Sequence, residues 1–163
     1  MGKKKAGGSK DNPALWERFP EGEELMAKLR PAYHKHLEGL AILVFSKPEA
    51  AKSRGKINAA KAMKATPILK AALRHHGEQI DYLIVVGLDE FQPMDAKTKE
   101  AVIDHELCHF LGPDDKGNMK MRGHDVEEFT EILERHGAWD SSRYYFAKAA
   151  QELQLGLPGT TVS

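Results

Sequence analysis

Asp104-His105-Glu106-Leu107-Cys108-His109-Phe110 places two histidines four positions apart, with a glutamate directly after the first. On an α-helix, residues i and i+4 stack on one side, so two imidazole nitrogens can converge on a single ion at about 2.0–2.1 Å. Glu106 then sits roughly 100° further round the helix, where its carboxylate reaches a water on the ion rather than the ion itself. Its natural role is general base. Eight histidines make a chance H-E-x-x-H pattern conceivable, so the surroundings carry the weight. Residues 95–111 have a helical pattern: Asp95 is a good N-cap, Val102, Ile103, Leu107, Phe110 and Leu111 recur at helical spacing, and Gly112-Pro113 ends the run. With Val102, Ile103 and Leu107 packed inward, His105, Glu106 and His109 should look outward into a cleft or into water.

A catalytic zinc keeps three protein ligands and one open position. His124, fifteen residues after His109, is the strongest candidate for the third. It opens a second amphipathic stretch, residues 123–133, in which Val126, Phe129, Ile132 and Leu133 share a face. Between the two stretches, residues 112–122 carry Pro113, Asp114, Asp115 and Gly117 and read as a tight reversal or small hairpin that returns the chain to the ion. Asp114, Asp115, Asp125 and Glu128 are rival third ligands, although acidic residues at turns and helix starts have ordinary local roles. Cys108, the only cysteine, would close the site as a thiolate ligand and is expected instead to be a small buried residue. Asp104 either orients a ligand imidazole or stands exposed at the surface.

The two motifs together are similar to the SprT and Spartan zinc metallopeptidase domains, in which H-E-x-x-H is followed by a third histidine in a G-H-x-x-E-F-like motif. This chain has one residue more between that histidine and the phenylalanine. It resembles the phage metallopeptidase family more closely, whose Asp-His-Glu-Leu-Cys-His and Arg-Gly-His-Asp-Val-Glu-Glu-Phe signatures stand here at residues 104–109 and 122–129. The resemblance is specific over residues 81–137. It implies one zinc ion held by His105, His109 and His124, Glu106 as the catalytic base, and a protein or peptide substrate. It also implies an α+β, zincin-like fold: a small, mainly antiparallel or mixed sheet of about three strands packed on the H-E-x-x-H helix, with further helices before and after. In such folds the strand beside that helix offers its edge to an extended substrate.

At 163 residues and 41% hydrophobic composition, the chain has the size of one domain with a single core. Residues 13–154 are expected to form it, between a Gly- and Lys-rich disordered tail (1–12) and a flexible C-terminal tail (155–163). No apolar run approaches the eighteen or so residues of a membrane span and no secretory segment opens the sequence, so a soluble, cytoplasmic chain in a bacterium or phage-infected host is expected, without a membrane partner. Residues 15–37 hold a helical pattern broken or restarted at Pro31. Residues 40–45 are a continuous apolar run suited to a first strand covered on both faces. Across residues 49–80, propensity alone favours a helix over 57–65, whereas the resemblance implies a strand there and a short helix over 67–75; the strand is the expectation adopted. Residues 81–88 are the clearest strand, and residues 140–153, with Tyr144, Tyr145 and Phe146 near the start, read as a last helix.

Twenty-four basic and twenty-four acidic side chains cancel, but unevenly. Lys47, Lys52, Arg54, Lys56, Lys61, Lys64, Lys70 and Arg74 face a single acid, Glu49, within residues 47–74, a bias that can mark a DNA or RNA contact. The reading that unites these features is zinc-dependent peptide-bond hydrolysis by an activated water with Glu106 as base, the oxyanion aided by a donor such as Arg122, His136, Tyr144 or Tyr145. A second reading is a non-catalytic zinc domain that contacts nucleic acid or a host protein. A third is an interaction module bearing a relict motif without metal.

Overall fold

The computed structural model describes residues 16–53, 55–124, 129–137 and 139. The terminal tails, the helix expected over 140–153 with its tyrosines, Arg54, Asp125, Val126 and Glu128 lie outside the described residues. In chain order the elements are β1 (Glu17–Arg18), α1 (Pro20–Tyr33), a 3-10 turn (Lys35–Leu37), β2 (Ile42–Lys47), β3 (Ala51–Ser53), β4 (Lys56–Asn58) and β5 (Ala60–Lys64). There follow α2 (Pro67–His75), β6 (Tyr82–Gly87), α3 (Leu88–Phe91), α4 (Ala96–Cys108), β7 (Phe110–Pro113), β8 (Met119–Met121) and α5 (Thr130–His136).

The main sheet has the order β1-β2-β6-β5. The β2–β6 pair is parallel, in register from Ile42 opposite Tyr82 to Lys47 opposite Gly87, and the two edge strands run antiparallel to their neighbours. The fold is therefore α+β with a mixed sheet, but of four strands rather than about three. The extra one, β1, is two residues long, too short for any alternation to register in the sequence, and β2 is the second strand rather than the first.

Alternation divides the sheet into two faces. Ile42, Val44, Ala60, Ala62, Tyr82, Ile84 and Val86 join Met26 and Leu29 of α1 and Val102, Ile103 and Leu107 of α4 in the larger core. Leu83 and Val85 face the other way, packed with Leu43, Phe45 and Met63 and with Leu69 and Leu73 of α2. Central β6 is buried at every residue, which explains its unbroken apolar run.

Residues 57–65 hold the end of β4 and the whole of β5, not a helix, despite their alanines and lysines. In β5, Ala60 and Ala62 are buried and Lys61 and Lys64 exposed, and the two small side chains let α4 approach the sheet. That tertiary fit outweighs the few tenths of a kcal/mol per residue that favour helix. The edge position of β5 matches the strand that the resemblance implied, and α2 spans the expected residues. Helix α1 passes through Pro31 as one helix; in the last turn the missing N–H costs a single hydrogen bond.

Gly87 fixes the approach of the segment after β2. A Cβ there would lie 2.3 Å from Ala50 Cα, a backbone atom that cannot step aside. Gly87→Ala is expected to destabilise the protein by at least about 1–3 kcal/mol, read as a lowered urea midpoint with unchanged slope.

Helix α4 begins as expected, with Asp95 Oδ1 accepting from the Thr98 N–H at 2.7 Å. It ends at Cys108, earlier than the apolar spacing suggests, because Phe110 and Leu111 belong to β7. Phe110 stacks on Tyr82 with ring centroids 4.2 Å apart, and a buried strand residue in step with the helical repeat cannot be told apart by periodicity. The β7–β8 hairpin is the expected reversal. The Tyr82 hydroxyl anchors it, donating to the Lys120 carbonyl at 2.6 Å and accepting from the Gly112 N–H at 3.0 Å. The second helix starts at Thr130, not at 123; residues 123 and 124 are irregular.

Among the basic residues of 47–74, Lys47 is buried at 6% exposure and leaves the proposed cationic face. Lys61 and Lys64 fall on opposite faces of β5 by alternation. Among the described residues no helix is long and apolar enough to cross a membrane.

Candidate metal centre

The end of α4 is a core helix rather than an amphipathic one, since residues 101–108 are all buried. The hairpin and α5 cover the side that the sequence leaves outward. His105 and Glu106 lie in the last turn, 6% and 7% exposed, and His109 is the C-cap residue. The hairpin then brings residues 122–124 back alongside. The Arg122 N–H donates to the His109 carbonyl at 2.9 Å, and His109 Nδ1 donates to the Arg122 carbonyl at 2.8 Å. A carbonyl only accepts, so Nδ1 carries the proton and Nε2 of His109 the lone pair.

His124 Nε2 and His105 Nε2 are 3.0 Å apart. One nitrogen from each of His105, His109 and His124 lies within 4.8 Å of the others. Two imidazole nitrogens at 3.0 Å cannot both present lone pairs to each other; a proton or a cation must lie among them. Ligands at about 2.0–2.1 Å on a tetrahedral ion stand about 3.3 Å from one another, slightly further than this pair, so the donor set suits a borderline-soft divalent ion. Burial is graded from buried His105 through half-buried His109 to exposed His124, which leaves the solvent side at His124. Glu106 Oε1 is 4.0 Å from His105 Nε2, beside the cluster rather than within it.

Phe129, fully buried, backs all three rings, with centroid distances of 5.2 Å to His105, 4.7 Å to His109 and 5.1 Å to His124. The Arg122 guanidinium lies over its ring, 4.5 Å from the centroid. That guanidinium donates to the Cys108 carbonyl at 2.7 Å and to Glu131 at 2.8 Å, so it closes the end of α4. His136 donates to Asp104. Arg122 and His136, the candidate oxyanion donors among the described residues, thus each bond to α4. Asp114 accepts the N–H groups of Lys116 and Asn118, each at 2.9 Å, a turn role, and the exposed Asp115 sits in the same turn.

Asp104 corrects the expectation of a surface carboxylate: it is completely buried. Oδ1 accepts from His34 Nε2 at 2.6 Å and Arg135 at 2.7 Å; Oδ2 accepts from Arg135 Nε and His136 Nε2, both at 2.7 Å. Burial alone pushes its pKa up, but the bonds from His136, His34 and Arg135 and the Arg135 charge hold it well below the usual carboxylate range. His34, Asp104 and Cys108 also form a compact potential ligand group. Its chemistry does not fit a cation, because the Arg135 fork fills the carboxylate and burial, followed by the Asp104 charge, pushes the Cys108 thiol up to about 12. Cys108 is 5% exposed, a small buried residue as expected. A thiol of that pKa should resist iodoacetamide at pH 8 until the protein unfolds, and Cys108→Ala should leave metal content unchanged by atomic emission. The sequence singled out none of the roles of His34, Arg135 or Phe129, which arise only when α1, α4 and α5 meet.

A buried helix ending in His-Glu-x-x-His, with a third imidazole folded back beside the pair, defines a candidate metal centre. Residues 14–152 match the family described as putative phage metallopeptidase, and the chain belongs to that family. A metallopeptidase is a metal-dependent enzyme acting on proteins or peptides. No curated protein and no solved structure was found to match the chain.

Proposed function

We propose that the chain is a zinc-dependent peptidase in which His105, His109 and His124 hold one zinc ion and Glu106 is the general base. The observation that carries this reading is the convergence of three imidazole nitrogens within 4.8 Å beside a buried carboxylate. Bound zinc supplies Lewis-acid polarisation of the substrate carbonyl and lowers the pKa of the water it binds. The protein supplies the rest. His109 is fixed in its tautomer by the Arg122 carbonyl. Glu106 takes a proton from the attacking water as it adds to the peptide carbonyl and returns it to the departing amine nitrogen. Strand β5 lies at the sheet edge among the described residues, packed against α4, and that edge suits an extended peptide added as a further antiparallel or parallel strand.

Zinc stoichiometry of the purified chain by atomic emission, together with cleavage of casein or a peptide library, tests the reading. One zinc per chain and chelator-sensitive cleavage are expected. An intact, folded chain that holds no zinc and takes none up would sink it.

A further inference from the structure

His124, the proposed ligand most open to solvent, stands on an irregular segment and is not held by regular secondary structure. Its ring packs against His105, His109 and Phe129. Phe129 in turn is the N-cap residue of α5, so the wall behind the three rings is only as well placed as that helix. Helix α5 is seven residues long with Ile132 its one fully buried side chain. Its apolar anchorage is a small cluster in which Phe129 and Ile132 meet Cys108 of α4; polar grips at its two ends add directional contacts.

At the C-terminal end, Arg135 and His136 converge on Asp104. At the N-terminal end, Glu131 meets Arg122, which lies two residues before His124. Asp104 itself immediately precedes His105 on α4, and His34 holds it from α1. One carboxylate thus gathers donors from two elements, the end of α1 and α5, while its own helix carries the first two imidazoles. Replacing a buried ionic network by apolar residues is often neutral or stabilising, and the best-attested use of such networks is to fix register.

We propose that Asp104 is a positioning residue: through Arg135 and His136 it sets α5 against α4, so that Phe129 backs the imidazole cluster and keeps His124 within it. The inference rests on the three imidazoles being metal ligands, and the experiment separates the two.

Zinc affinity is measured by chelator competition, with cobalt(II) visible absorption as a report on ligand geometry, in the wild type, Arg135→Lys, Phe129→Leu and His124→Ala. Leu69→Ala, on the opposite face of the sheet, is the control for general destabilisation. Thermal unfolding of every metal-free protein is followed in parallel. Arg135→Lys keeps the charge but loses the fork, and Phe129→Leu keeps the apolar contact but loses the flat wall. Each is expected to weaken zinc binding about 10–100-fold and to change the cobalt spectrum, as loss of an orienting partner does. Leu69→Ala should lower the unfolding temperature and leave zinc affinity alone. Wild-type zinc affinity in both α5 variants, or a loss in Leu69→Ala of the same size as theirs, overturns the positioning role while the metal reading stands. A folded wild type that takes up no zinc overturns both.

Discussion

Glu106→Gln is expected to lower kcat on a peptide substrate by about 10²–10⁴-fold, the range that a positioned general base contributes. Zinc stoichiometry, far-UV circular dichroism and KM should change little. Glutamine has the volume of glutamate and keeps an amide oxygen, so the 7% exposed pocket it occupies stays filled. What it lacks is a site to hold the proton of the attacking water. The carboxylate lies 4.0 Å from the His105 nitrogen, outside the three-imidazole group, so removing its charge leaves the donor set intact. The same variant separates the readings. A peptidase keeps its metal and loses cleavage, whereas a non-catalytic domain that contacts nucleic acid or a host protein keeps whatever binding it has. Cleavage by the glutamine variant at the wild-type rate would move the base to another residue.

The sequence conveyed the fold where a single element's own pattern determined it. The apolar run of β6, the Asp95 cap of α4 and the Asp114–Gly117 turn of the hairpin are local signals, and local signals survive folding. Legibility failed where a neighbour decided. Ala60 and Ala62 are helix formers in isolation; only the approach of α4 makes their smallness useful in an edge strand. Phe110 continues the helical repeat in sequence, yet its stacking on Tyr82 places it in a strand. The spacing of His105, Glu106 and His109 could be read directly because one helix carries them. The Asp104 network could not, since its donors come from residues 34, 135 and 136 and sequence separation hides such a junction. The exposed reading of Asp104 followed from its position directly before His105, where an acid beside a polar motif is most simply solvated.

Removing that carboxylate should have the largest effect on stability. Asp104→Ala leaves the Arg135 fork and two imidazoles without their shared acceptor, and loss of one partner from a buried ion pair costs about 3–5 kcal/mol. The lower end is expected here, because the Arg135 side chain retains 19% exposure and can recover some hydration. Against a typical total of about 5–15 kcal/mol, this would bring the metal-free protein close to unfolding at physiological temperature. The pH dependence identifies the cause. The Asp104 pKa is held below its unfolded value in the native state, so its contribution is complete above the ordinary carboxyl range near pH 4 and declines as pH falls further, when the unfolded chain takes up a proton that the native chain refuses. Denaturant unfolding of the metal-free proteins should therefore give a constant gap between wild type and Asp104→Ala from about pH 5 to 7, narrowing progressively below about pH 4. A gap that stays constant across the whole range would mean that lost packing, and not the ionised carboxylate, accounts for the difference.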